Sequence, residues 1–316
     1  MKFFSTRSPS EGTSLSQAIQ AGLAPDGGLY VPERFPSWSG KPAGNWAEVA
    51  QELLAPFFEG DTLLAGRLPV ICRRALDFPI PLVPLAGDPT TSVLELFHGP
   101  TAAFKDVGAR FLAECFVELQ AKTGGARRTI LVATSGDTGG AVASAFFKKA
   151  GLDVVVVFPK EGVSPFQRKQ LTCWGENVRS VAVDGSFDDC QRLVKEAFAA
   201  RDSTGVWAKR LLTSANSISI GRLLPQMAYY AWASLDYYAR TGIKPGFIIP
   251  SGNAGNALAA IWAWKMGLPI RELILASNAN RALPDYFSTG VFRPAPTVQT
   301  IANAMDVGNP SNLERV

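Results

Sequence analysis

From Val93 onward, short runs rich in Val, Ile and Leu alternate with longer segments whose apolar residues recur at three- and four-residue spacing. The short runs are typical of strands buried on both faces, and the longer segments are typical of the helices that cover them. Strands are predicted at Arg128 to Ala133, Val154 to Phe158, Val178 to Val183, Gly246 to Ile249 and Leu273 to Ala276. Helices are predicted at 140–150, 165–174, 187–200, 218–240 and 255–266. This alternation predicts an α/β fold with a mostly parallel sheet.

The first 92 residues lack this alternation. We predict short strands at Phe3 to Thr6 and Leu29 to Val31, a short helix at Leu15 to Gly22, and a helix at Trp46 to Phe58 that is broken at Pro56. Prolines at positions 79, 81, 84 and 89 predict a connecting segment. Because 316 residues exceed one usual hydrophobic core, we expect more than one domain.

The charge composition excludes several classes of partner. The chain has 31 basic and 27 acidic residues and no basic run with interleaved aromatic residues, so we expect no nucleic-acid partner. The longest apolar run, around Val154 to Phe158, is far shorter than a membrane span, and the N-terminus lacks the apolar core of a signal peptide. We therefore expect no membrane partner and a cytoplasmic location.

Cysteine and histidine usage limits the chemistry. Cys72, Cys115, Cys173 and Cys190 are far apart and form no Cys-x-x-Cys pair, so buried free thiols are predicted. His98 is the only histidine, which argues against a histidine-based metal site, and we predict no metal. A Ser-His-Asp triad would need the same histidine, and no Gly-x-Ser-x-Gly motif accompanies it.

A strand, a glycine-rich loop and a helix occur twice in nearly the same sequence. Residues 135–141 (Ser-Gly-Asp-Thr-Gly-Gly-Ala) match residues 251–257 (Ser-Gly-Asn-Ala-Gly-Asn-Ala), an offset of 116 residues (251 − 135). Such a loop leaves backbone N–H groups free at a helix N-terminus, where an anion can bind. The sequence therefore predicts two anion-binding loops, named here the first loop (residues 134–138) and the second loop (residues 252–256).

The two loops differ in charge. Asp137 of the first loop corresponds to the neutral Asn253 of the second, so a phosphate dianion is expected to prefer the second loop. The hydroxyl groups of Thr134, Ser135 and Thr138 suit a substrate that carries both a carboxylate and an ammonium group. The alternative for either loop alone is an ordinary tight turn after a strand.

Lys105 lies where a loop rich in turn residues, beginning at His98, is followed by a predicted helix from Asp106 to Gln120. A helix N-terminus disfavours a positive charge, and the neighbouring Phe104 can shield the amine from water, so both effects favour a neutral amine. A neutral lysine amine condenses with an aldehyde, whereas the alternative is a solvated lysine at a helix start. A Schiff-base lysine, a phosphate loop and an amino-acid loop are the set that pyridoxal phosphate needs. A purely structural or partner-binding protein would explain neither the paired loops nor this lysine.

Five motifs follow one another along the chain: 22–32 (Gly-Leu-Ala-Pro-Asp-Gly-Gly-Leu-Tyr-Val-Pro), 98–106 (His-Gly-Pro-Thr-Ala-Ala-Phe-Lys-Asp), 133–139 (Ala-Thr-Ser-Gly-Asp-Thr-Gly), 250–256 (Pro-Ser-Gly-Asn-Ala-Gly-Asn) and 303–312 (Asn-Ala-Met-Asp-Val-Gly-Asn-Pro-Ser-Asn). With these motifs in this order, the sequence resembles the threonine synthase family, whose members depend on pyridoxal phosphate and have the tryptophan-synthase-β-like fold. The resemblance covers essentially the whole chain. It implies fold type II, with two open, mostly parallel sheets flanked by helices.

The resemblance also implies roles for individual positions. It implies that Lys105 carries the cofactor as a Schiff base and is the catalytic residue. It implies that the cofactor phosphate is held by Gly252, Asn253, Ala254, Gly255 and Asn256. It implies that the amino-acid end of the substrate is held by Thr134, Ser135, Gly136, Asp137 and Thr138. The implied reaction converts O-phospho-L-homoserine and water to L-threonine and phosphate, the last step of threonine biosynthesis.

Three regions are predicted: an irregular N-terminal region (1–92), a smaller α/β domain with the substrate loop (93–205) and part of a larger α/β domain with the cofactor-phosphate loop (206–316). The chain ends just after the 303–312 motif, whereas family members of this type continue well beyond it. The resemblance places the hydroxyl that faces the pyridine nitrogen in that further segment. We expect cofactor binding with weak turnover if the protein ends at Val316, and the function of the parent protein if the chain is a fragment.

Several residues have two interpretations. Four positions are candidates either for binding the substrate phosphate or for a solvated helix start: Lys160, Ser164, Arg168 and Lys169. Asn216 and Ser217 either cap the long helix that follows or face the cofactor ring. His98 either contacts the cofactor or substrate or holds the turn that follows it. The alternatives for the whole chain are a related phospholyase or dehydratase and a cofactor-binding homologue without turnover, as a monomer or homodimer.

Overall fold

The computed structural model describes residues 1–8, 11–40, 45–125, 127–134, 136–200 and 211–316, apart from the side chains of residues 188 and 199. The helices are α1 (Leu15–Ala21), α2 (Trp46–Phe58), α3 (Leu68–Ala75), α4 (Lys105–Thr123), α5 (Asp137–Phe146), α6 (Pro165–Thr172), α7 (Phe187–Ala199), α8 (Ile220–Leu223), α9 (Met227–Thr241), α10 (Gly255–Lys265) and α11 (Ala282–Thr289). The strands are β1 (Phe3–Ser5), β2 (Tyr30–Pro32), β3 (Leu82–Leu85), β4 (Asp88–Leu94), β5 (Arg128–Ala133), β6 (Leu152–Pro159), β7 (Val178–Val183), β8 (Leu211–Ser214), β9 (Phe247–Pro250) and β10 (Leu273–Ala276).

Four strands form a parallel sheet in the order β7-β6-β5-β8. The chain moves outward from β5 through β6 to β7 and then returns to the other side of β5 as β8. This reversal of direction leaves a crevice at the carboxyl ends of β5 and β8, which is where ligands bind in open α/β sheets. The first loop follows β5 and Ala215 follows β8, so both segments lie at this crevice.

The strands of this sheet were largely predictable. β5 and β7 have the predicted bounds, and β6 extends the predicted strand by a few residues. β8, which has four residues, was not predicted from the sequence. Because the reversal of strand order depends on β8, the sequence did not predict the crevice.

A second parallel sheet contains β9 and β10, with Ile248 opposite Ile274. Side chains on one face of this pair pack on the main core, which includes the buried Ile249. The opposite face carries Ile248 and Ile274, which are 70% and 49% exposed. Within the described residues, the second sheet is therefore covered on one face.

The N-terminal region contains more regular structure than predicted. β1 and β2 correspond to the two predicted short strands, and they pair antiparallel, with α1 between them in the sequence. The proline-rich stretch that was predicted as a connecting segment instead forms an antiparallel hairpin of β3 and β4. Pro84 is tolerated because this two-stranded hairpin has free edges, where a missing N–H disrupts no ladder. α3 was also missed.

Pro56 does not break α2, contrary to prediction. The proline lies in the last turn, so its missing N–H removes one hydrogen bond only near the end of the helix. Phe57 and Phe58 follow it and are almost fully buried, and their burial holds the last turn against the core. By contrast, the predicted helix 218–240 is interrupted: α8 ends at Leu223, and a short 3-10 helix containing Pro225 separates it from α9.

The long helix α4 passes through the main core. It extends the predicted helix by one residue at the start and three at the end, and it ends at Gly124, which has φ of 55°. Left-handed backbone at this position is the usual glycine helix stop. Twelve of its residues are buried, so the start of α4 is fixed by packing along nearly its whole length.

Three of the four cysteines are buried free thiols, as predicted, whereas Cys173 is exposed. No helix in the described ranges is both long enough and apolar enough to pass through a membrane. Residues 92 and 93 both lie in β4, and the predicted boundary at 205 and 206 lies outside the described residues. The division into three regions stays a prediction.

Candidate active site

Lys105 is the first residue of α4, and its amine lies inside the protein. Its side chain is 13% exposed, and Nζ donates a hydrogen bond to Oδ2 of Asp137 at 3.3 Å. The centroid of the Phe104 ring lies 5.0 Å from Nζ. The interpretation of Lys105 as a solvated lysine at a helix start is therefore wrong.

Burial lowers the pKa of Lys105 below the ordinary lysine value. The Asp137 carboxylate opposes this effect, because its charge and its hydrogen bond favour the ammonium form, while the Arg222 guanidinium lowers the pKa further. The net result is an amine that loses its proton more easily than a lysine in water. A deprotonated amine is the form that attacks an aldehyde and that accepts a proton from a substrate.

The first loop is folded around a buried hydroxyl group. Oγ1 of Thr134 accepts hydrogen bonds from the N–H groups of Gly136 and Gly139, at 3.0 and 2.9 Å. This hydroxyl therefore shapes the loop from within. Ser135 lies outside the described residues, and substrate binding by the first loop stays a prediction.

Asp137 is the residue of the first loop that faces Lys105. Its Oδ1 accepts a hydrogen bond from Nε2 of Gln167 at 3.0 Å, while Oδ2 accepts the bond from Lys105. Burial alone would raise the pKa of this carboxyl group, but Lys105 and Gln167 outweigh burial, and the net pKa is lowered. Asp137 is therefore an anion that holds the lysine, and its charge disfavours a phosphate at the first loop.

The helix after the second loop begins later than the helix after the first, although the two sequences match. α5 begins at Asp137, whereas α10 begins at Gly255, beyond the matching position Asn253. Ala254 takes the left-handed conformation, with φ of 60°, which costs a residue with a Cβ about 1–2 kcal/mol. The Leu258 N–H donates to the Ala254 carbonyl, so the N–H groups that precede it have no carbonyl partner within α10. A strained backbone that leaves N–H groups free is typical of a site that binds an anion.

Contacts with three residues from two parts of the chain fix the second loop. Nδ2 of Asn253 donates to Oγ of Ser217, and Oδ1 of Asn253 accepts from the Ser311 N–H, both at 2.6 Å. A Cβ at Gly252 would lie 2.7 Å from the carbonyl oxygen of Met305, so only glycine allows this approach. The loop is thereby joined to the segment after β8 and to the 303–312 motif.

Asn256 is also held by the protein. Its Oδ1 accepts hydrogen bonds from the hydroxyls of Tyr229 and Tyr230, at 2.5 and 2.7 Å. These two bonds fix the orientation of the amide, so the donors that the second loop offers to an anion are its backbone N–H groups and Nδ2 of Asn256. Phosphate binding by residues 252–256 stays a prediction.

β8 and the segment after it carry buried polar atoms that have no hydrogen-bond partner among the described residues: Thr213 Oγ1, Asn216 Oδ1 and Ser219 Oγ. Buried polar atoms normally have partners, so this segment is suited to a polar ligand. The capping interpretation of Asn216 and Ser217 is wrong, because the residue that precedes α8 is Ser219 and its side chain makes no capping bond.

Arg222 places a second positive charge at the site. It is 2% exposed, its Nη1 donates to the Ala215 carbonyl at 2.8 Å, and its Nε has no partner in the described part of the chain. Burial lowers its pKa to about 10, and Asp106 opposes that effect. Arg222 therefore stays protonated at neutral pH and joins the surroundings of Lys105 to the segment after β8.

These groups fit pyridoxal phosphate. A buried amine of lowered pKa suits the aldehyde, and the free N–H groups at the start of α10 suit the phosphate. Asn216 lies in the chain between Ala215, which Arg222 contacts, and Ser217, which Asn253 contacts. Its unpartnered amide oxygen is therefore placed to meet a polar group of a ligand that spans the lysine and the second loop.

The predicted substrate-phosphate segment forms a capped helix start. Oγ of Ser164 accepts from the Gln167 N–H at 3.2 Å, Arg168 donates to the Lys160 carbonyl, and Nζ of Lys160 lies 3.8 Å from Asp184. These contacts are those of the helix-start interpretation. Phosphate binding by this segment stays a prediction.

His98 contacts an acidic neighbour. Its Nε2 lies 2.7 Å from Oε2 of Glu95, and its ring centroid lies 4.8 Å from that of Phe97. Both interpretations of His98 stay predictions, because the contact with Glu95 is compatible with each.

Comparison with known proteins finds matches along almost the whole chain. Residues 78–315 match the family described as "Pyridoxal-phosphate dependent enzyme", and residues 2–76 match "Threonine synthase N terminus". The threonine synthase of Haemophilus influenzae is 40% identical over 324 residues, which cover 100% of this chain and 73% of that protein. The chain belongs to the threonine synthase family. The predicted family, fold class, enzyme class and cofactor, pyridoxal phosphate, are therefore confirmed.

Solved structures of threonine synthases have the same fold. The pyridoxal-phosphate-bound threonine synthase of Brucella melitensis superimposes with a TM-score of 0.88 at 37% identity, covering 100% of this chain and 68% of that one. The threonine synthase of Escherichia coli gives a TM-score of 0.86 at 36% identity, covering 100% of this chain and 73% of that one.

Several residues of the site were not singled out from the sequence: Gln167, Arg222, Asn303 and Ser311. Asn303 and Ser311 lie in the 303–312 motif, which was a signal that could have found them. Gln167 is explained locally as the partner of Ser164 in a Ser-x-x-Gln capping box, so its pattern gave no indication of a site.

Gly252→Ala is expected to weaken pyridoxal phosphate binding about tenfold, because its Cβ would meet the backbone of Met305 and displace the second loop. Titration of the cofactor absorbance would measure the dissociation constant. Gly66→Ala is the matched control, since a Cβ at Gly66 meets nothing within 4 Å. Unchanged affinity in Gly252→Ala would contradict the assignment of the second loop.

Proposed function

We propose that this threonine synthase family member converts O-phospho-L-homoserine and water to L-threonine and inorganic phosphate. The observation that carries the proposal is the amine of Lys105, which is buried at the start of α4 and hydrogen-bonded to Asp137 of the first loop. The names of its relatives support the choice of product, and the two loops support a substrate with an amino-acid end beside a cofactor with a phosphate.

When bound, pyridoxal phosphate supplies an aldehyde that condenses with amines and a ring that withdraws electrons from the carbon beside the amine. The N–H groups at the start of α10 would hold its phosphate, with the positive end of the helix dipole behind them. Asn253 keeps these N–H groups in place through its bonds to Ser217 and Ser311.

Protons must move at three carbons of the substrate. One leaves Cα and one leaves Cβ, and the phosphate departs from Cγ; Cγ then gains a proton, water adds at Cβ, and Cα regains a proton. We assign the proton transfer at Cα to Nζ of Lys105, because it is a buried base whose pKa is lowered. When Lys105 is protonated, Asp137 keeps its Nζ in place, because Oδ2 of Asp137 accepts a hydrogen bond from the ammonium.

The first loop would bind the substrate carboxylate through the N-terminus of α5 and the hydroxyl of Thr138. Asp137 lies at the same helix start, and its negative charge would orient the substrate ammonium. The departing phosphate needs cationic or hydroxyl partners, which the segment from Lys160 to Lys169, before and within the first turns of α6, would supply.

Product analysis tests the proposal. Wild-type protein incubated with pyridoxal phosphate and O-phospho-L-homoserine is expected to release phosphate and threonine in equal amounts. Lys105→Ala is expected to release neither above background, because it lacks the amine that binds the aldehyde and moves the proton. Equal rates in the two proteins would remove Lys105 from the proposal.

The same assay separates the alternatives. Phosphate accompanied by 2-oxobutanoate, with no threonine, would indicate a phospholyase or dehydratase. A borohydride-stable link between the cofactor and Lys105 without phosphate release would indicate a cofactor-binding homologue without turnover. The cytoplasmic location and the monomeric or homodimeric state stay predictions.

A further inference from the structure

Lys105 is the end of a series of side-chain hydrogen bonds that begins far away in the sequence. Nδ2 of Asn303 donates to Oε1 of Gln167 at 3.4 Å, and Nε2 of Gln167 donates to Oδ1 of Asp137 at 3.0 Å. Oδ2 of Asp137 then accepts from Nζ of Lys105 at 3.3 Å. The first of these bonds joins residues 136 positions apart, and the series as a whole runs from the C-terminal motif to the start of α4.

The Asn303 end of this series is attached to the second loop. Asn303 belongs to a short 3-10 helix, Asn303–Met305, and the Met305 backbone fills the space that a side chain at Gly252 would need. Asp306 anchors the same turn by accepting hydrogen bonds from Thr300 and Asn278. A movement of the second loop therefore displaces the residue that holds Gln167.

Gln167 is suited to pass such a displacement to Asp137. It is buried, and its Oε1 also accepts the Ser164 N–H of the capping box at 3.2 Å. Its Nε2 packs so closely against the first loop that a Cβ at Gly136 would lie 2.4 Å from it. Both ends of the amide are engaged, so the side chain cannot turn without breaking a bond.

We propose that Gln167 is a positioning residue that holds the Asp137 carboxylate against Nζ of Lys105 and that Asn303 ties this arrangement to the second loop. The proposal rests on the proposed function only in taking Lys105 as the working amine. Gln167 thus has two roles: it belongs to the capping box of α6, and it influences how readily Lys105 loses its proton.

The sign of the effect follows from the charges that face Nζ. Asp137, on α5, favours the ammonium, and Arg222, on α8, disfavours it. Asp106, next to Lys105 on α4, faces Arg222. If Gln167 no longer holds the Asp137 carboxylate, the ammonium loses its nearest anion, and Lys105 deprotonates at lower pH.

Competitive acetylation tests the proposal without relying on turnover. The full chain, freed of cofactor, is labelled with limiting acetic anhydride across a pH series, and mass spectrometry gives the midpoint for Lys105. Saturation with pyridoxal phosphate before labelling should protect Lys105, which checks the cofactor assignment separately. Failure of protection would count against the proposed function and leave the midpoint comparison valid.

Gln167→Met is expected to lower the Lys105 midpoint by on the order of one pH unit, toward the value in Asp137→Asn. Gln17→Met is the matched control, because Gln17 holds the same position in a capping box with Ser14 of α1. A loss of capping alone would affect both helices equally and leave Lys105 unchanged. An unchanged midpoint in Gln167→Met would overturn the proposal.

Two further variants complete the test. Asn303→Ala leaves α6 intact and is expected to shift the midpoint in the same direction by a smaller amount, and no shift would overturn the link to the second loop. Adding Gln167→Met to Asp137→Asn should cause no further shift, because the carboxylate is already gone. Additive shifts would show that Gln167 acts on Lys105 by another route and would also overturn the proposal.

Discussion

Replacement of Lys105 by arginine is expected to lower the rate of phosphate release from O-phospho-L-homoserine on the order of a thousandfold or more. Arginine keeps a positive charge that Asp137 can hold, but its guanidinium neither condenses with an aldehyde nor accepts a proton at neutral pH. The variant should therefore fold and keep its ion pair while losing both chemical tasks. Phosphate release and borohydride trapping of the cofactor at residue 105 measure the two losses independently.

Lys149→Arg is the matched control for this substitution. Lys149 also pairs with a buried carboxylate, Glu114, at 2.5 Å, and its side chain is 33% exposed. Arginine can keep that pair, so the rate of phosphate release should change less than twofold. A twofold change corresponds to about 0.4 kcal/mol in the activation free energy. A Lys105→Arg protein that retained a substantial part of the wild-type rate would show that the amine is not the reacting group.

Local patterns predicted most of the elements that carry the site. The apolar runs gave β5, β7 and β10, and the turn before a periodic apolar face placed Lys105 at the start of α4 within one residue. These features were predictable because strands and helix starts depend on neighbours in the sequence. The charge difference between Asp137 and Asn253 was also visible there, and it distinguishes the two loops in the structure.

The sequence similarity of the two loops did not predict where the helix after each loop begins. The matched sequences predict equal helix starts, yet α10 begins later than α5 relative to the match. The difference depends on Met305, whose backbone lies against Gly252, and on the left-handed Ala254. A contact with a residue so distant in the sequence gives no local signal, so the extra free N–H groups of the second loop could not be predicted.

Contacts between residues distant in the sequence also explain why other features of the site were not predicted. β8 has four residues, too few for a clear period, and without it the sequence could not decide between the two interpretations of Asn216. Gln167 satisfies a capping box, and that local explanation concealed its bonds to Asp137 and Asn303. Residues that serve one local and one distant partner are recognised only when the fold brings the partners together.

Asp106→Ala is expected to lower the free energy of unfolding by about 3–5 kcal/mol, the largest stability effect expected from a single side chain at this site. Asp106 is fully buried, and its two oxygens accept hydrogen bonds from the N–H and the hydroxyl of Thr101 at 2.8 and 2.7 Å. Alanine leaves both donors without a partner in the interior and removes the negative charge that faces the buried Arg222. Urea denaturation followed by circular dichroism measures the change.

Asp77→Ala is the control for Asp106→Ala. Asp77 also accepts a charged hydrogen bond, from Arg110 at 2.5 Å, but its side chain is 61% exposed, so its loss should cost less than about 1 kcal/mol. The contrast separates burial from pairing, since both variants remove one carboxylate near α4. Equal shifts of the two urea midpoints would mean that the turn from Gly99 to Asp106 does not depend on its buried carboxylate. In that case the position of Lys105 would be set by the packing of α4 alone.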